Sequence, residues 1–250
     1  MRPSFQSFKK TELSKKEFEK IREEFEDFSY IVSHDLNAPL RYIREFGKLF
    51  VNRMEKKFGP GILSEEEKQF LDLIHENVSS VETRISALLQ YSRLNTEEMP
   101  YEKTDCSQIV QKIKSNILAD TDYADVIFDI DELPIIKSQI KRVADLFGYI
   151  IDNAIKFRSQ DVPKVSIRVK DADVNYLFSI EDNGIGIEQK FSDEVFRIFR
   201  RLHSEDKYPG VGMGLTLSKK IIELHDGEIW IEPAQTQGSI VYFTLPKAIL

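Results

Sequence analysis

Apolar side chains recur three, four or seven residues apart along the first third of the chain. Phe18, Ile21, Phe25, Phe28, Val32, Leu36, Ile43, Phe46 and Phe50 fall on one stripe at about 100° per residue, which predicts an amphipathic helix. The helical pattern runs from about Thr11 to Asn95 and breaks at "KKFGPGILSEEEKQF". Gly59-Pro60-Gly61 ends the first helix, and Ser64 with Glu67 makes a capping box for the second. Phe70, Leu73, Ile74, Val78, Val81, Ile85 and Leu88 form the second stripe. Two long antiparallel helices bury little by themselves. The stripe therefore predicts pairing with a second hairpin, a homodimer built as a four-helix bundle. The alternative is a hairpin docked on the rest of its own chain.

The period changes after a polar linker, "SRLNTEEMPYEKTD". The segments "VIFDI", "KVSIRVK", "VNYLFSIED", "EIWIE" and "SIVYFTLP" read as strands from their β-branched and aromatic content and partial alternation. Helices are expected between them, near Cys106–Leu118, Ser138–Arg158 and Gly214–His225. Gly227 sits where a glycine commonly ends a helix. The second part is thus a mixed α/β domain of roughly 145 residues, an ordinary single-domain size.

Composition narrows the function. Of 250 residues, 31% are charged, which suits long solvated helices, and 41% are hydrophobic, enough for a core. A net charge of −7 argues against nucleic-acid binding through phosphate neutralisation. The single cysteine, Cys106, excludes an intrachain disulfide, and the four histidines show no zinc spacing. No apolar run is long enough to predict a membrane segment, and "MRPSFQSFKK" lacks an apolar signal core, so a cytoplasmic chain is expected.

Four segments carry chemistry. In "FSYIVSHDLNAPLRYI", His34 points almost opposite the apolar stripe and Asp35 lies at its edge. Pro39 lacks an N–H and crowds the Asp35 carbonyl, so a kink is expected at the turn that presents His34. "IEDNGIGIEQ" places Gly184 and Gly186 straight after a strand ending at Asp182, while "YPGVGMGLTLSKKI" places Gly210, Gly212 and Gly214 at a helix start. Glycines there admit a ligand close to backbone, and a helix N-terminus suits phosphate. The spacing fits neither the Rossmann fingerprint nor the P-loop. "LFGYIIDNAIKFRS" sets Asn153 and Lys156 on an apolar helix, an amide oxygen suited to Mg²⁺ and a point charge suited to phosphate.

Together these segments resemble sensor histidine kinases of two-component signalling. "SHDLNAPLR" resembles the histidine box, "DNAIKF" the asparagine box, "DNGIGI" and "GVGMGL" the glycine boxes, "VFRIFRRL" the phenylalanine box and "TQGSIVYFTLP" the closing strand. The wording of "RRLHSEDKYPGVGMGL" is nearest the phytochrome-like branch. The resemblance implies a dimerising helical hairpin followed by an α/β sandwich like that of Hsp90, gyrase and MutL. It divides the chain into a signalling helix over residues 1–24, a dimerisation and phosphoacceptor domain over 25–98 and an ATP-binding domain over 99–250. By the same resemblance His34 would take the γ-phosphoryl group of ATP with Asp35 as its base. Asn153 would hold Mg²⁺ and Lys156 would touch the phosphates. Asp182 would accept from the adenine amino group, Gly184, Gly186, Gly212 and Gly214 would shape the pocket and lid, and Arg201 would steady the transferred phosphate. A response regulator receiver domain would accept the phosphoryl group, and an upstream sensor domain would supply the signal.

Two positions depart from the family pattern. Tyr149 stands one turn before Asn153, where many members carry a second Asn. Ala38 stands four residues after His34, where many carry Thr or Asn tied to dephosphorylation, so weak phosphatase activity is expected. Tyr149 also supports a second reading, a kinase-like dimer that binds nucleotide as an interaction scaffold.

Overall fold

The computed structural model describes residues 31, 35–159, 161–204 and 207–247. The chain divides into two compact units, Met1–Glu97 and Glu98–Leu250. His34, the stripe from Phe18 to Phe28, Val32 and the expected signalling helix over 1–24 lie outside the described residues.

In the first unit, residues 35–58 are helical (α1) and Glu65–Leu94 form α2. Pro39 lies within α1. The reversal uses Gly59 at φ 97° and Gly61 at φ 83°, both left-handed and costly for any residue with a Cβ. The capping box is present as read: Ser64 N–H donates to Glu67 Oε2 at 2.7 Å, and Glu67 N–H donates to Ser64 Oγ at 3.2 Å. The arms meet where Arg44 Nη1 donates to Glu82 Oε2 at 2.8 Å. They also meet where Gly47 admits His75, since a Cβ at 47 would stand 2.9 Å from its Nε2. Val78 and Ile85 turn inward, whereas Leu36, Ile43, Phe46, Phe50, Phe70, Leu73, Ile74 and Val81 stay exposed, Phe46 at 65% and Phe70 at 56%. A single hairpin leaves most of its apolar stripe open.

The second unit runs β1 (Glu102–Asp105), α3 (Cys106–Leu118), β2 (Ile127–Ile130), β3 (Ile135–Ser138), α4 (Ile140–Lys156), β4 (Lys164–Ala172), β5 (Asn175–Asp182), α5 (Gly214–Glu223), β6 (Ile229–Pro233) and β7 (Ser239–Pro246). Five strands form one sheet in the order β2-β4-β5-β7-β6, parallel between β2 and β4 and antiparallel elsewhere. Alternate residues face inward: Val165 and Ile167, Phe178 and Ile180, Val241, Phe243 and Leu245 are buried. Against them α4 sets Val143, Leu146, Phe147, Ile150, Ile151 and Ala154 at helical spacing, all buried. Phe178 and Phe243 stack at 5.0 Å, and Phe147 meets both rings edge-on at 5.7 and 5.6 Å. This is an α/β sandwich preceded by a helical hairpin.

Two sequence expectations change. The end of the expected linker is strand β1, paired antiparallel with β3. Its bond is polar: Ser138 Oγ donates to Thr104 Oγ1 at 2.8 Å with both residues buried, and no hydrophobic period announces such a pair. That strand also trims the expected helix at Ser138, which begins at Ile140. Gly227 is not the left-handed cap of α5. That conformation belongs to Asp226, at φ 54°, and Gly227 is needed because a Cβ there would overlap the Thr244 carbonyl on β7.

Candidate active site

The polar face of α4 begins the site. Tyr149, Asn153 and Lys156 lie four and seven residues apart, hence on one side, while the opposite face fills the core. Opposite them, α5 opens at Gly214 with no side chain capping its first N–H groups. A Cβ at Gly214 would stand 3.3 Å from Asn153 Nδ2, 3.8 Å from its Oδ1 and 3.7 Å from Tyr149 Cβ. The positive end of a helix dipole thus abuts the Asn153 amide. Lys156 Nζ lies against Gly210, 2.5 Å from where a Cβ would sit.

Asp182 ends β5 on the other side. Its Oδ1 accepts from Gly184 N–H at 2.8 Å and from Ser239 N–H at 3.3 Å. Burial pushes its carboxyl up to about 6, the two hydrogen bonds pull it partly back, and neighbouring Glu181 adds a small upward push. Glycine at 184 and 238 is a matter of space: a Cβ at 184 would overlap the Phe157 carbonyl, and one at 238 would overlap the Asp182 carbonyl. Ile185 N–H donates to Phe157 O at 3.0 Å, which ties this loop to the end of α4. Asn183 braces the loop, accepting from Lys164 N–H at 2.7 Å and donating to Val162 O at 2.9 Å. Gly186 packs on Gly238, whose carbonyl oxygen a Cβ at 186 would approach to 3.0 Å.

Arg201 lies along the glycine-rich segment. Its Nη2 donates to Tyr208 O at 2.7 Å, and a Cβ at Gly212 would come within 2.8 Å of its Cγ. So Asn153, Lys156, Gly212, Gly214 and Arg201 gather at one end, and Asp182, Gly184 and Gly186 at the other, joined through Phe157. Asp35 is exposed on α1 in the first unit. Sequence reading missed Gly238 and Ser239 behind Asp182, and Phe157 with Tyr208 beneath the glycine-rich segment. The only signal for Tyr208 was its place in "KYPGVGMG".

Such a cradle offers a half-buried carboxylate to accept an amino group, an uncapped helix start, and a lysine and an arginine beside it. That donor set fits a nucleotide with its phosphates. Among the described residues no three His, Cys, Asp or Glu side chains cluster as metal ligands. The Asn153 amide oxygen fits a Mg²⁺ ion that takes its other ligands from phosphate and water.

Residues 138–249 match the family of histidine kinase-, DNA gyrase B- and HSP90-like ATPases, and residues 24–97 match the His kinase A phosphoacceptor domain. Cyanobacterial phytochrome A of Nostoc sp. is 35% identical over 230 residues, 92% of this chain. The chain spans 29% of that relative's length. Full-length ShkA in complex with AMPPNP shares the fold with a TM-score of 0.63 at 18% identity, over 88% of this chain and 45% of that one. Histidine kinase ThkA in complex with response regulator protein TrrA does so with a TM-score of 0.61 at 20% identity, over 94% and 67%. With the phosphoacceptor domain and the ATPase domain in this order, the chain belongs to the histidine kinases, on their phytochrome-like branch.

Proposed function

We propose that this chain is the kinase core of a two-component sensor, which phosphorylates itself on His34 from ATP and passes the phosphoryl group to an aspartate of a response regulator receiver domain. The observation that carries this reading is the cradle around Asp182. A carboxylate half-buried at the end of β5, braced by Gly184 and Ser239, is what recognition of an amino-purine needs. Phosphoryl transfer asks little covalent help of a protein and much positioning and charge neutralisation. Lys156 and Arg201 would meet the phosphates, and Asn153 would hold Mg²⁺, whose role is to neutralise phosphate charge. Gly184, Gly186, Gly212 and Gly214 would keep the pocket walls thin. The γ-phosphorus would bond to a His34 imidazole nitrogen as its bond to the β–γ bridging oxygen breaks, and ADP would leave. Asp35 would take or polarise the imidazole proton.

The open apolar face of α1 and α2 supports a homodimer, in which two hairpins close a four-helix bundle. ThkA in complex with TrrA is the support for a response regulator as partner. A cytoplasmic setting and an upstream sensor domain belong to the same reading, as do the boundaries 25–98 and 99–250. The chain has no described helix long and apolar enough to cross a membrane.

Tyr149 favours a second reading. It lies beside Gly214 and Asn153 and offers no amide oxygen, as a nucleotide-binding scaffold with weak catalysis would tolerate. Incubation with γ-labelled ATP and Mg²⁺ separates the two. The kinase reading expects acid-labile, alkali-stable label that is absent from His34→Gln and Asn153→Ala. The scaffold reading expects ATP binding without label.

A further inference from the structure

Three aromatic rings stand between the end of α4 and the glycine-rich segment, and the proposed chemistry uses none of them. Tyr208 is buried, its ring 5.0 Å from Phe157 and 5.6 Å from His203, with Phe157 and His203 6.1 Å apart. We propose that Tyr208 is a positioning residue for nucleotide phosphates: its ring, clamped on Phe157, sets where Lys156 and Arg201 stand. The proposal rests on reading the pocket as a nucleotide site.

The anchor beneath Tyr208 is rigid. Phe157 N–H donates to Asn153 O at 3.1 Å, and its carbonyl accepts from Ile185 N–H at 3.0 Å. The ring on which Tyr208 rests is therefore held by the backbone of the site itself. Tyr208 is held in turn through its own backbone, its N–H donating to Ser204 O at 3.2 Å and its carbonyl accepting from Arg201 Nη2 at 2.7 Å. Pro209 follows, with φ locked and no N–H to divert the chain. Gly210 comes next and rests on Lys156 Nζ. Residues 208 and 210 thus seat on the adjacent residues 157 and 156, and placing the ring places the glycine over the lysine.

Both cations answer to this one residue. Arg201 reaches it through the Tyr208 carbonyl, and Lys156 through Gly210. Toward Asp182 the path from Tyr208 runs through Phe157, whose backbone is pinned by Asn153 O and Ile185 N–H with or without the Tyr208 ring, and Asp182 itself is held by Gly184 and Ser239. Loss of the ring therefore loosens the phosphate end of the site and leaves the amino-accepting end in place. Affinity for a triphosphate falls while affinity for the bare nucleoside holds.

The test measures binding of ATP and of adenosine by calorimetry to the full chain and to Tyr208→Ala, Tyr208→Leu and Tyr208→Phe. The Leu variant keeps apolar volume where Ala destabilises the fold. The expected result is ATP binding weakened about tenfold or more in Ala and Leu, adenosine binding within about twofold of the parent, and rescue by Phe. Thermal unfolding of each variant separates this from a general loss of structure. Equal weakening of ATP and adenosine, or no weakening, overturns the positioning role while the nucleotide reading stands. Failure of the parent chain to bind either ligand overturns the nucleotide reading and the proposal with it.

Discussion

Replacing Asp182 by Asn should stabilise the nucleotide-free protein, and do so more at pH 8 than at pH 4. The Asp182 carboxyl sits at about 6 against an ordinary 3.8, chiefly because burial disfavours its charge. At about 1.36 kcal/mol per unit, that shift makes ionised Asp182 a burden of about 3 kcal/mol at pH 8. Its folded form keeps its proton to higher pH than the unfolded chain does. The stability it contributes is therefore fully present below pH 4 and is lost as pH rises to about 6. At pH 4 the same two values leave a burden of only about 0.5 kcal/mol. Asn keeps an oxygen for the Gly184 and Ser239 N–H groups and carries no charge. Whatever its new amide N–H₂ costs is the same at both pH values. The gain at pH 8 minus the gain at pH 4 should thus be about 2.5 kcal/mol. The single tryptophan, Trp230, lies on β6 of the same sheet as Asp182. Urea unfolding followed by its fluorescence reports this unit alone. The same variant should lose ATP binding. A pH difference near zero, or of opposite sign, would refute the reasoning that Asp182 is a partly desolvated charge held for ligand recognition.

Other consequences follow from the same geometry. Ser64→Ala removes the capping-box acceptor at the start of α2 and should cost about 1 kcal/mol in urea unfolding followed by circular dichroism, with no effect on nucleotide affinity. His225 is buried, and desolvation followed by the nearby Arg142 charge holds it below its ordinary 6.5, against upward pulls from the Ile221 carbonyl and Asp226. The stability it contributes is therefore present above pH 6.5 and is lost as pH falls below that. A titration of its Cε1–H by NMR that gave a midpoint at or above 6.5 would sink this reading. Phe46→Glu with Phe70→Glu places charge on the open hairpin face and should convert a dimer to a monomer in analytical ultracentrifugation. A dimer that survives both changes would move the interface elsewhere.

Legibility in the sequence followed the kind of interaction. Where burial decides, one-dimensional periodicity suffices. The core face of α4 and the alternating Val241, Phe243 and Leu245 of β7 could be read directly, as could the local Ser64–Glu67 box. Pairs distant in sequence and polar in nature could not. Thr104 and Ser138 satisfy each other in the core, so β1 looked like linker. The glycines showed the same divide. Gly184 and Gly186 stood out beside Asp182, but Gly238 gained its meaning only when β7 carried it onto the Asp182 carbonyl. Gly227 was noticed for the wrong reason, because the crowding carbonyl of Thr244 comes from another strand. Tyr208 and Phe157 each read as ordinary aromatic residues until the fold stacked them.

Transfer from γ-labelled ATP decides whether the chain works as a histidine kinase core with its nucleotide cradle at Asp182. Purified chain, His34→Gln and Asp182→Asn are incubated side by side with Mg²⁺. Label that is lost in acid and kept in alkali is expected on the parent chain, and none on either variant. Label that persists on His34→Gln, or full labelling of Asp182→Asn, would contradict that assignment.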